Sequence, residues 1–186
     1  MKRVLTLLPV LGIILLSFTG CKPRYRQQEP NSARQTADPE AIYQTNRQMI
    51  RDNAIQIREM AARKGWNLTE TGTGVFYRII TKKQTAGRVT IKPGNRITMA
   101  YTLSLTDEKE CYSSVTHGPK RFVVEKSEAE QGLHEAVQFM CKGDSALVVI
   151  PPQKAFGFAG DGDRIPPQSI LVYHIRIDSV ESLSGK

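Results

Sequence analysis

The chain has 186 residues, a formal charge of +8 at pH 7 and an isoelectric point near 9.5; the length allows one domain, or one domain with an appendage. Residues 1–20 carry two basic groups and no acid, residues 21–66 nine against five, and residues 67–186 fifteen against thirteen. The body of the chain is nearly neutral, and no aromatic interleaving or glycine-arginine repeat accompanies the basic segments, so no nucleic-acid partner is expected.

In chain order, the first element is "MKRVLTLLPVLGIILLSFTGC". Lys2 and Arg3 precede an apolar stretch from Val4 to Phe18, shorter than the roughly 20 residues a membrane span needs. With small residues at its end, segment 1–20 reads as a secretion signal. Because Cys21 follows Gly20 directly, the segment resembles a bacterial lipoprotein signal. That resemblance implies lipidation of Cys21 and a protein held on a membrane of the cell envelope, facing the periplasm; several acyl chains on one residue anchor stably where one does not. Residues 21–40 show no apolar periodicity and read as a flexible tether.

From Ala41 to Lys64 the period becomes helical. Ile50, Ala54, Ile57 and Ala61 recur at i, i+4, i+7 and i+11 with Met60 beside them, while Arg47, Arg51, Arg58 and Arg63 lie elsewhere on the surface. Gly65 suits the C-terminal cap and Lys64 the last turn. This amphipathic helix, within residues 41–66, either packs on its own domain or presents a face for a homodimer or another partner. The stripe alone says only that something covers it.

Residues 67–186 read mostly as strands. "VFYRII" at 75–80 is one; in "ITMAYTLSL" Ile97, Met99, Tyr101, Leu103 and Leu105 alternate. "RFVVE", "SALVVIP" and "SILVYHIRID" supply three more. Between the first and second of these three, Leu133, Ala136, Val137 and Met140 follow a helical course, with a capping box expected at Ser127 to Glu130 and Gly143 just past the end. Pro166 and Pro167 fix the backbone just before the last strand, and proline cannot pair inside a sheet, so they belong to a rigid loop that delivers that strand. The expected fold class is α+β: antiparallel strands wrapped on one short helix.

Three cysteines and three histidines are scattered, with no CxxC and no Cys/His cluster. No metal or cofactor is expected. The sequence leaves open whether Cys111 and Cys141 pair. Ser/His/Asp context and paired carboxylates are also lacking, so nucleophilic or acid–base catalysis finds no support.

Three stretches together carry a family resemblance over about residues 70–182. "GNRITMAYTLSLTDEKECYSS", "GLHEAVQFMCKGDSALVVIPPQKAFG" and "GDRIPPQSILVYHIRI" resemble the strand-and-corner, helix-turn-strand and double-proline ending of the FKBP-type peptidyl-prolyl cis-trans isomerases. With the signal and the helix ahead of it, the whole chain resembles the gliding-motility-associated lipoprotein isomerases of Bacteroidetes. The resemblance implies a strongly curved antiparallel sheet on one short helix, and a proline pocket using Tyr101, Phe156, Ile165 and Tyr173. Around these it places Cys111, Tyr112 and Phe122, Leu133 at the floor, and the backbone N–H of Glu130 as donor to a substrate carbonyl. The implied partners are proline-containing unfolded or partner polypeptides of the envelope.

The sequence departs from the family at defined positions. Cys111 stands for an aromatic wall, Tyr112 for an acid, Leu133 for an indole, Phe156 for a tyrosine and Lys120 for another aromatic. These losses favour a rival reading, a groove that holds polypeptide without turnover; the retained set of Tyr101, Phe156, Ile165 and Tyr173 favours the enzyme.

Overall fold

A computed structural model describes residues 38–81, 88, 90–126 and 129–183. The signal at 1–20, Cys21 and the tether as far as residue 37 lie outside the described residues, as does Ser127. Ala37–Lys186 forms one compact unit.

The described part opens with helix α1, Pro39–Arg63, started by an Asp38 side chain that accepts the Glu40 N–H at 3.0 Å. Lys64 caps its end and Gly65 follows at φ 64°, the left-handed position that favours glycine. Strands β1 (Thr69–Glu70), β2 (Phe76–Thr81), β3 (Asn95–Ser104) and β4 (Glu110–Ser113) come next, then the one-turn helix α2 (Ser114–His117) and β5 (Lys120–Val123). Helix α3 (Gln131–Val137), β6 (Ser145–Ile150), a 3-10 turn at Pro152–Lys154 and β7 (Leu171–Ser182) complete the order.

All pairings between these strands are antiparallel, in the order β1-β2-β6-β7-β3-β4. Strand β3 also pairs β5, through Arg96 to Met99, while its far end pairs β4, through Thr102 to Ser104. The two short strands thus share one edge of β3, with α2 between them.

Alternation on the central strands explains the layers. On β6, Ala146, Val148 and Ile150 join Leu133, Ala136 and Val137 of α3 in the main core, with Ile97, Met99, Leu103, Leu171, Tyr173, Ile175 and Ile177. Leu147 and Val149 point the other way and meet Ile57 and Met60 of α1, with Phe76, Ile170 and Val172. A strand covered on both faces reads as a continuous apolar run, which is why "ALVVI" does not alternate. The sheet therefore wraps α3 on one face and carries the C-terminal half of α1 on the other.

Two expectations change. Glu130 is the N-cap of α3 and makes no side-chain capping bond, so the helix starts later than a Ser127 capping box would place it; the Glu130 carboxylate is taken by partners in the sheet. The strands β1 and β4 are additions that were too short to show a period. The thiols of Cys111 and Cys141 are both free and buried.

Candidate active site

Where β3 and β7 run side by side, Leu103 pairs Tyr173 and Tyr101 pairs Ile175. Their inward side chains place the rings of Tyr101 and Tyr173 with centroids 6.1 Å apart and planes at 48°. These rings back a pocket of about 240 Å³ lined also by Leu103, Tyr112, Lys120, Glu130, Phe156 and Asp161. Phe156 arrives from the segment after the 3-10 turn, and Tyr112 from β4 at the sheet's edge.

The loop from Gly157 to Gln168 forms one side of the site and is pinned internally. Asp161 Oδ1 accepts the N–H groups of Asp163 (2.9 Å) and Ile165 (2.8 Å), and the Asp161 N–H donates to the Ile165 carbonyl at 3.1 Å. Gly160 has φ +70°, and a methyl group there would run into the Ile165 carbonyl oxygen and the Pro166 backbone. The Gln168 N–H closes the loop on the Gly157 carbonyl at 2.9 Å. The double proline is thus one part of a loop held rigid by an Asx turn and a close backbone approach.

Two side-chain networks meet across the pocket. Tyr112 donates its hydroxyl to Asp161 Oδ2 at 2.6 Å and lies 3.2 Å from Asp163 Oδ2. The bond to Asp161 and the burial that accompanies it push the Tyr112 hydroxyl up to about 12. Burial works against the Asp161 charge, but the bonds from Tyr112, Asp163 and Ile165 outweigh it and hold the carboxyl below its usual range. Arg164 donates to the Cys111 carbonyl at 2.9 Å, the Cys111 thiol donates to the Arg164 carbonyl at 3.5 Å, and the Arg164 guanidinium stands over the Tyr112 ring. Burial pushes the Cys111 thiol up.

On the other side, the Tyr173 hydroxyl donates to Glu130 Oε1 at 2.7 Å and Lys120 Nζ to Glu130 Oε2 at 2.7 Å. Burial again opposes the Glu130 charge, yet the Lys120 ammonium and the Tyr173 hydroxyl hold the carboxyl below its ordinary value. Burial and the same carboxylate push the hydroxyls of Tyr173 and Tyr101 up, so both remain protonated donors at neutral pH.

Residues 87–178 match the profile of the FKBP-type peptidyl-prolyl cis-trans isomerases. The chain is 37% identical over 87 residues to the peptidyl-prolyl cis-trans isomerase of Schizosaccharomyces pombe, covering 78% of that protein and 46% of this one. The chain belongs to the FKBP-type peptidyl-prolyl isomerases.

Another member, the probable FKBP-type isomerase of Haemophilus influenzae, is 32% identical over 125 residues, 66% of this chain; the chain spans only 49% of that protein's length. The FKBP-like fold is seen again in the crystal structure of FkpA from Escherichia coli, with a TM-score of 0.58 over 80% of this chain and 76% of that one, at 23% identity.

Of the residues that the FKBP resemblance nominates, the structure brings Tyr101, Phe156, Tyr173, Tyr112 and Glu130 to one pocket. Ile165, Leu133, Cys111 and Phe122 lie in the core rather than among the lining residues, with 0–3% of their surface exposed. They support the lining residues from behind. Sequence reasoning missed Asp161 and gave Lys120 no role. The only sign of the first was Asp161 in "GDGD", a turn-forming run one loop away from Phe156.

Proposed function

We propose that the chain accelerates the cis–trans isomerisation of Xaa-Pro bonds in exported or envelope polypeptides, from a lipid anchor at Cys21 facing the periplasm. The observation that supports it most is the ring of Tyr101, Tyr112, Phe156 and Tyr173 around a pocket of about 240 Å³, behind a loop whose backbone is fixed. Rotation about a peptide bond meets a barrier of about 18–20 kcal/mol because resonance holds the amide planar. An aromatic, water-poor pocket disfavours the charge-separated planar form, and a shape suited to the twisted imide binds the transition state better than either planar isomer. No nucleophile takes part. The signal, tether and helix support the closer resemblance to the gliding-motility-associated lipoprotein isomerases of Bacteroidetes. Exposed Ile42, Tyr43 and Ile50 on the outer half of α1 support pairing of two chains through residues 41–66.

A second reading, holding polypeptide without turnover, is favoured by the polar groups of Lys120, Glu130 and Asp161 on the pocket wall. One experiment separates the two. The cis-to-trans relaxation of short Xaa-Pro peptides is followed with residues 22–186, which contain the whole compact unit, beside a Tyr101→Ala, Phe156→Ala variant. Acceleration by the parent that falls at least about tenfold in the variant supports the enzyme. No acceleration by a folded parent sinks it and leaves the holding function.

A further inference from the structure

The ion pair on the pocket wall is costly to hold. Glu130 has 8% of its surface exposed and the Lys120 side chain 27%. A buried pair of this kind stabilises a fold little more than apolar residues of the same volume would. The pair is thus weak evidence of a role in holding β5, α3 and β7 together.

The Lys120 ammonium carries three N–H donors. Glu130 takes one, and among the described residues no other acceptor is bonded to Nζ. The carboxylate cannot swing toward the pocket to take more, because its other oxygen is fixed by the Tyr173 hydroxyl at 2.7 Å. Asp161, across the pocket, already accepts from Tyr112 and from two backbone N–H groups. The site thus presents a cation held on its wall by Glu130, with donors left over, beside aromatic rings. A bound Xaa-Pro segment offers backbone carbonyls as acceptors. A donor on the imide oxygen itself would favour the planar, charge-separated form and slow rotation, so the useful acceptor is a carbonyl flanking the imide.

Resting on the isomerase-pocket reading above, we propose that Lys120 is a substrate-binding donor of this pocket, giving a hydrogen bond to a backbone carbonyl flanking the Xaa-Pro bond, and that Glu130 is the positioning residue that aims it. This donor compensates for the aromatic wall that the lysine replaces. It also gives the Glu130 side chain a use beyond its backbone N–H.

The test compares Lys120→Met, Lys120→Arg and the double variant Lys120→Met, Glu130→Gln in residues 22–186, each checked for folding by circular dichroism. Lys120→Met is expected to lower kcat/KM on Xaa-Pro peptides by about tenfold or more, the size of a charge-assisted hydrogen bond. Lys120→Arg, which keeps a donor, is expected within about threefold of the parent. The double variant decides between substrate contact and neutralisation, because it removes the uncompensated charge while the amide oxygen that replaces the carboxylate still accepts from Tyr173. It stays as impaired as the single variant if Lys120 touches substrate. Recovery in the double variant, or an unimpaired Lys120→Met, overturns the proposal. Should the parent not accelerate isomerisation at all, the function proposed above fails on its own. The role of Lys120 is then read from the affinity of a proline-containing peptide, titrated by NMR, which weakens in both methionine variants if the proposal holds and is unchanged if it does not.

Discussion

The bond between the Tyr112 hydroxyl and Asp161 moves the titration of both groups away from their ordinary values. In the folded chain Tyr112 keeps its proton to about 12, whereas in the unfolded chain a tyrosine loses it near about 10. The folded state therefore binds the extra proton between those values, and the stability this confers is complete below about pH 10 and lost as pH rises toward about 12. At the acid end the sign reverses: the Asp161 carboxyl lies below its usual range, so its contribution is present above the ordinary aspartate value and lost as pH falls through the lower folded one. An ultraviolet absorbance titration of the parent beside Tyr112→Phe should lose one phenol titrating near about 12. Urea unfolding of the variant should show a shallower decline with pH over the same alkaline window. An unchanged phenol titration, or an unchanged slope, would show that Tyr112 does not hold Asp161 in solution.

Helix α1 divides into two halves with different work. Ile57 is fully buried against Phe76, Leu147 and Val149, whereas Ile50, one of the same sequence stripe, is 45% exposed. Ile57→Ala should cost about 2–5 kcal/mol in urea unfolding through lost burial and the cavity left behind, and Ile50→Ala at micromolar concentration less than about 0.5 kcal/mol. Equal effects would mean that α1 is covered along its whole length. The stripe was legible in the sequence, but its division was not, because a helical period records which residues share a face and not how far the sheet beneath them extends. The central strands were legible for the reason given by their burial: on β7, Leu171, Tyr173, Ile175 and Ile177 alternate with exposed His174 and Arg176. Strand β4 alternates in burial too, but it is four residues long and its inward positions are Cys111 and Ser113, so the apolar pattern in the sequence is too short and too polar on its inner face to read. In the site, the aromatic residues were readable from motif spacing, while the networks were not: Tyr112 reaches Asp161 across 49 residues and Tyr173 reaches Glu130 across 43. Contacts of that kind exist only once the sheet has curled, and a polar residue shows no periodicity that announces its partner.

At the scale of the whole molecule, the two free thiols among the described residues sit in places that open only with the fold. Cys111 lies on β4 beneath the loop carrying Arg164, with 1% of its surface exposed, and Cys141 follows α3 with 6% exposed. Cys141 is bound into the structure by its backbone N–H, which donates to Asp144 at 2.9 Å, and by its bridge to Thr90. The Cys111 sulfur is covered by a segment distant in the chain, and Cys141 is bridged to Thr90, also distant; contacts of that kind are lost together in a cooperative unfolding. Only the thiolate reacts readily, and the raised Cys111 thiol holds little of it at neutral pH. In residues 22–186, which lack Cys21, a disulfide reagent should label two thiols rapidly in denaturant. Under native conditions both should react slowly and with similar rates that track the urea dependence of global unfolding. If Cys111 instead reacts fast while Cys141 does not, the loop from Gly157 to Gln168 lifts away from β4 by itself. The wall of the pocket would then be a moving part, and the rigidity argued for that loop would be wrong.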